Sequence, residues 1–124
     1  MNNILIPFPD KNNFKFFMEN NIDGFIIGLE GYSETFNHLV KMSELNDICK
    51  MLKEKDKKIY IMLNKVYFNE QMEELKKVVR SIEKLDINAL IFSDMAILNI
   101  VREENLNIRL VWYSKLTTNS STIK

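Results

Sequence analysis

Five short apolar runs, each continuous rather than alternating, constrain this chain most: Ile4-Leu5-Ile6, Gly24-Phe25-Ile26-Ile27-Gly28, Ile59-Tyr60-Ile61-Met62-Leu63, Ala89-Leu90-Ile91-Phe92 and Ile108 to Trp112. A strand with one wet face shows a period of two, so an unbroken run reads as a strand covered on both faces, as in a parallel sheet. Between the runs the period becomes helical. Phe14, Phe17 and Met18 follow Asp10 at an N-cap position, and Leu45, Ile48, Cys49 and Leu52 follow Ser43. Met72, Leu75, Val79, Ile82 and Leu85 form the clearest stripe, opened by Asn69. Ile97, Ile100 and Val101 form a shorter one, capped by Ser93 or Asp94 and ending near Asn105. The stretch from Glu30 to Met42 reads as a polar loop, and Lys53 to Lys58 as a solvated helix end. Strand and helix thus repeat at the interval expected of right-handed parallel crossovers.

Two α/β architectures satisfy that pattern. One is the N-terminal part of a TIM-like (β/α) barrel, about five strand–helix units forming a single partial domain over residues 1–124. The other is a small five-stranded doubly wound, flavodoxin-like sheet. A closed barrel takes about 250 residues, so the 124 present supply about half of one. A receiver-like signalling domain of the doubly wound type calls for an acidic pair after the first strand and an Asp after the third; this chain has Pro7-Phe8-Pro9 and Asn64 there. Residues 113–124 carry no apolar stripe and are expected to form a poorly ordered tail. Half a barrel leaves its first and fifth strands as open edges and the inward faces of Ile6, Ile27, Met62, Phe92 and Val111 without opposing strands. A homodimer through those edges is the expected partner.

Composition narrows the function classes. Lys plus Arg at 17 equal Asp plus Glu at 17, so no global field favours nucleic acid or an anionic membrane. Gly24, Gly28 and Gly31 flank the second run without forming a phosphate-binding loop. No apolar run is long enough to span a membrane and no charged n-region precedes an apolar h-region at Met1, so the cytoplasm is the expected compartment. The single cysteine, Cys49, lies on a helix stripe and cannot alone hold zinc or an iron–sulfur cluster, so no metal and no cofactor are expected in this segment.

Read as phrases, Asp23-Gly24-Phe25-Ile26-Ile27-Gly28-Leu29, Lys58-Ile59-Tyr60-Ile61-Met62-Leu63-Asn64 and Ile87-Asn88-Ala89-Leu90-Ile91-Phe92-Ser93-Asp94 resemble, in order and spacing, the N-terminal part of the U32 peptidase family. Arg109 to Asn119 is similar to the family's fifth strand and following turn, although Tyr113-Ser114-Lys115 stands where a Ser-Thr-Gln-like triplet is usual. The resemblance implies a barrel with peptidase activity on collagen-like substrates in some members, and RNA-base hydroxylation or quinone synthesis in others. It also implies that the cysteines holding an iron–sulfur cluster lie beyond this region, in a longer parent chain. The segment is therefore expected not to be catalytic by itself. A self-associating, non-catalytic binding module, or a degenerate receiver-like signalling domain, is the alternative.

In either architecture ligands meet the carboxyl ends of the strands. By that position Glu30, Asn64 and Asp94 are the catalytic candidates, with Glu30 and Asp94 as an acid/base pair if their loops converge. Tyr32, Tyr67, Ser114 and Lys115 are the ligand-binding candidates. Asp10 and Asp94 also sit where helix caps belong, and an Asn that closes a strand bonds the nearby turn backbone. His38, the only histidine, falls in the polar loop outside any nucleophile motif. Met42, Met51, Met62 and Met72 read as core filler, and Trp112 and Tyr113 as packing or stacking groups.

Overall fold

The computed structural model describes residues 5–9, 22–34 and 38–113. The helix expected after Asp10, Asp10 itself and the tail with Ser114 and Lys115 lie outside the described residues. Every expected strand is present: β1 Leu5–Pro7, β2 Gly24–Leu29, β4 Lys58–Leu63, β5 Ala89–Phe92 and β6 Leu110–Trp112. A sixth, the two-residue β3 (Leu39–Val40), lies inside the segment read as a polar loop. It pairs with β2 through Gly28 and Leu29, on the edge that β1 leaves after Ile26, and so extends the lane of β1.

All pairings are parallel, and the order β1-β2-β4-β5-β6 follows the sequence. A doubly wound sheet reverses its order at a switch point so that helices cover both faces. With right-handed crossovers a monotonic order places successive helices on one face, as in part of a β/α barrel. The core agrees. Phe25, Ile27 and Leu29 of β2, Ile59, Ile61 and Leu63 of β4, and Leu90 and Phe92 of β5 are buried in one cluster with Leu45, Cys49, Leu52, Leu75, Val79, Ile82 and Ile97 from the helices. The doubly wound and receiver-like readings are corrected on this ground.

Register also corrects the expected inward face. Ile6 neighbours Phe25, Ile27 neighbours Ile61, and Leu63 neighbours Phe92, so Ile6, Ile27 and Phe92 belong to the helix-covered side. Met62 and Val111 occupy the other side with Ile26, Tyr60 and Ile91. Met62, Ile26 and Tyr60 there are half-buried, and Val111 is exposed.

Three helices are described: α1 (Met42–Glu54), α2 (Met72–Lys84) and α3 (Met95–Glu103). The expected cap Ser43 lies within α1, whose N-cap is Lys41 with no side-chain bond. Asn69 opens a 3-10 turn, Asn69–Gln71, that leads into α2, and Gln71 Oε1 accepts from the Phe68 N–H at 2.9 Å. The α3 helix is capped by Asp94, as its sequence suggests. Asp56, Asp86 and Asn105, one just beyond each helix, take positive φ, which Asn and Asp tolerate better than most residues.

Candidate functional site

The carboxyl ends of the strands converge on three loops, those after β2, β4 and β5, and polar side chains bind them to one another. Ser33, buried, accepts from the Leu29 N–H at 2.7 Å and donates to the Met62 carbonyl at 2.5 Å, which locks the turn after β2 onto β4. Asn64 grips the same turn from the other side. Its Oδ1 accepts from the Glu34 N–H at 2.7 Å and its Nδ2 donates to the Glu34 carbonyl at 3.2 Å, as a strand neighbour's backbone would. The side chain is only 4% exposed, so this amide is part of the scaffold.

Asp94 does for β4 and β5 what Asn64 does for β2 and β4. One oxygen caps α3 through the Ala96 N–H at 3.0 Å, and the other accepts from the Tyr67 N–H at 3.0 Å. Tyr67 then donates its hydroxyl to the Tyr32 carbonyl at 2.7 Å, and the Tyr32 hydroxyl donates to Glu74 on the first turn of α2. The two rings lie 6.3 Å apart. Serine, asparagine, aspartate and two tyrosines thus form a chain of contacts across the rim.

Burial pushes the Tyr32 phenol up to about 12, assisted by the Glu74 carboxylate that accepts its proton and repels the phenolate. Tyr67 is raised further, mainly by burial. Because the neutral phenols are the favoured folded forms, their contribution to stability is complete below pH 10 and is lost as pH rises through about 12. In an ultraviolet titration Tyr32 and Tyr67 are expected to ionise only with the loss of near-ultraviolet circular dichroism. Ionisation of Tyr32 and Tyr67 near pH 10 with the fold intact would refute this.

The sequence candidates therefore divide. Asn64, Asp94, Tyr32 and Tyr67 are brought together, but through the backbone. Glu30 is exposed beyond β2, with its backbone N–H donating to the Val40 carbonyl at 2.9 Å. Asp94 has both oxygens on backbone donors, and no contact joins it to Glu30. His38 precedes β3, its ring 6.4 Å from that of Phe8. Ser33 is not among the expected residues; a serine four residues past the end of a strand carries no motif, and its partner Met62 is distant in sequence. Exposed Val66, Phe68, Met95 and Trp112 add an apolar margin to the β4–β6 side of the rim. Phe92 meets Trp112 edge to face at 5.3 Å.

A depression of about 500 Å³ lies at the opposite end of the sheet, among Ile22, Asp23, Lys53, Asp56, Lys57, Lys58 and Asn88. Lys57 donates there to the Ile22 carbonyl at 2.6 Å and Lys53 to the Leu85 carbonyl. It sits at the amino ends of the strands, where barrel residues serve stability.

Among the described residues no three His, Cys, Asp or Glu side chains are grouped as a metal site. Cys49 is buried on α1, and burial raises its thiol to about 11. A lone, buried, protonated thiol does not fit the ligand set of an iron–sulfur cluster. No helix of the described residues is long and apolar enough to cross a membrane.

Comparison with known proteins places this geometry. A comparison with curated proteins finds no match. Among solved structures, the fold is similar to that of the U32 peptidase Mk0906, with a TM-score of 0.66 and 11% identity. The match covers 91% of this chain and 49% of that one, so the chain spans about half the length of this relative. The profile of peptidase family U32 matches residues 10–123. Order of strands, placement of the core and a profile match over nearly the whole sequence lead to one conclusion: the chain belongs to peptidase family U32.

Proposed function

We propose that this chain supplies the N-terminal half of a U32 barrel, and that its rim positions a polypeptide substrate without cleaving it. The carrying observation is how the rim's polar groups are used. Asn64, Ser33 and Asp94 are committed to the backbone of neighbouring loops, which suits a scaffold and leaves no activated nucleophile among the described residues. Exposed Glu30 and the apolar margin of Phe68 and Trp112 are the groups that would meet a ligand. Balanced charge favours a polypeptide over nucleic acid, and a single buried thiol suits the cytoplasm.

The test is hydrolysis of gelatin and of unstructured peptides by the purified chain. No cleavage above background is expected. Cleavage that survives repurification and is abolished by Glu30→Gln would overturn the proposal and make Glu30 a catalytic residue.

A further inference from the structure

Tyr67 packs its ring into the core, and its two chain neighbours turn the other way: Tyr67 is 6% exposed, Val66 71% and Phe68 64%. Phe68 is extended, with φ −95° and ψ 162°, so side chains alternate there as they do along a strand. The bond from the Tyr67 N–H to Asp94 sets this stretch beside Met95, the first residue of α3, which is also exposed. Three large apolar side chains thus stand in water on a backbone that is tied down at Tyr67, by Asp94 and the Tyr32 carbonyl, and at Phe68, by Gln71. They lie in the loops after β4 and β5, and the strands on either side, β2 and β6, are both described, so the patch does not depend on an open sheet edge. A contiguous apolar patch held rigid within a polar surround marks an interaction surface.

The charge around the patch selects what covers it. Asp94 caps α3, and Glu73 and Glu74 occupy the first turn of α2, so these three meet the positive helix ends at the rim. In the loops after β2 and β4 that leaves the exposed carboxylates Glu30, Glu34 and Glu70 against one lysine, Lys65. Basic side chains gather instead at the opposite end of the sheet, where Lys53, Lys57 and Lys58 line the depression. The chain is neutral as a whole and polarised along the strands. We infer that Val66, Phe68 and Met95 dock a polypeptide segment in which Lys or Arg residues flank an apolar side chain; this names the substrate class and rests on reading the rim as a surface that positions a polypeptide. The apolar side chain covers the patch, and the flanking cations meet the loop carboxylates. Nucleic acid and anionic lipid are repelled by the same carboxylates. Because the loop is already ordered, little of the binding energy is lost in arranging it.

Fluorescence anisotropy with three short labelled peptides tests this: one of Leu, Gly and Lys, one with Glu in place of Lys, and one with Ser in place of Leu. The Lys peptide is expected to bind, more weakly as salt rises, and the other two to bind about tenfold less tightly or worse. Phe68→Ser should weaken the Lys peptide about tenfold with an unchanged melting temperature, since the ring it removes is exposed. Glu34→Gln combined with Glu70→Gln should abolish the preference for Lys over Glu. Equal binding of the Lys and Glu peptides by the unaltered chain would overturn the inference and leave the rim a polypeptide surface without charge preference. Preferential cleavage of the Lys peptide would instead support the inference and overturn positioning without cleavage. Binding of none of the three, or full binding by Phe68→Ser, would overturn the inference, as would a self-association in light scattering that Phe68→Ser dissolves, because a second copy would then be the occupant.

Discussion

Gly24→Ala is expected to cost about 3 kcal/mol or more and to lower the melting temperature by about 10 °C. Gly24 begins β2 beside Lys58 of β4. A Cβ there would stand 2.5 Å from the Lys58 carbonyl oxygen and 2.9 Å from its carbonyl carbon. Those atoms are backbone and cannot rotate away as a side-chain tip would, so the strands must separate where the Lys58 N–H also bonds the Asp23 carbonyl at 2.9 Å. Gly31→Ala is the control. Its φ of +89° strains any L residue, but a Cβ there meets nothing within 4 Å, so a loss of about 1 kcal/mol is expected. Thermal melts of both variants decide the matter. Equal losses, or a Gly24→Ala loss under about 1 kcal/mol, would mean that β2 and β4 are not held this closely.

That contact also shows what the sequence makes legible. Gly24 stands at the head of an apolar run, and the run announces a buried parallel strand; the need for glycine at that position arises only when Lys58 is laid beside it. Strand existence is local information. Phase is not, because a run such as Ile59-Tyr60-Ile61-Met62-Leu63 has no alternation to say which residues face the helices. For that reason the runs announce the strands that contain Ile6, Ile27 and Phe92 but not the face on which these three lie, which register alone decides. The two apolar residues of β3 are too few to stand out from the loop around them, and they become a strand only where the edge of β2 is vacated by β1.

The rim follows the same division. That residues at the strand ends matter is a rule of the fold, and it singled out Asn64, Asp94, Tyr32 and Tyr67 from sequence alone. What they do depends on partners about thirty residues away or more, as Asn64 to Glu34 and Asp94 to Tyr67 illustrate. The cap formed by Asp94 was readable because its partner, Ala96, lies two residues on. Its second bond was not.

Asp94→Ala is expected to be the most damaging single change at the rim, because it leaves two backbone donors without their acceptor. Loss of the α3 cap costs about 1 kcal/mol. The Tyr67 N–H belongs to a buried residue, and leaving it unsatisfied adds about 1–3 kcal/mol. The two losses fall at one joint between β4 and β5, so the loop from Asn64 to Phe68 should loosen as well as the helix. Trypsin cleavage after Lys65 is therefore expected to accelerate in step with the fall in melting temperature. Asp94→Asn keeps one acceptor oxygen and should lose about half as much, since its amide can serve the cap or Tyr67 but not both. A group reserved for proton transfer would behave otherwise: its removal would leave the melt within about 1 °C of the unaltered chain and the loop protected. Such a melt for Asp94→Ala would restore Asp94 to the catalytic candidates and dissolve the argument that this rim is a scaffold.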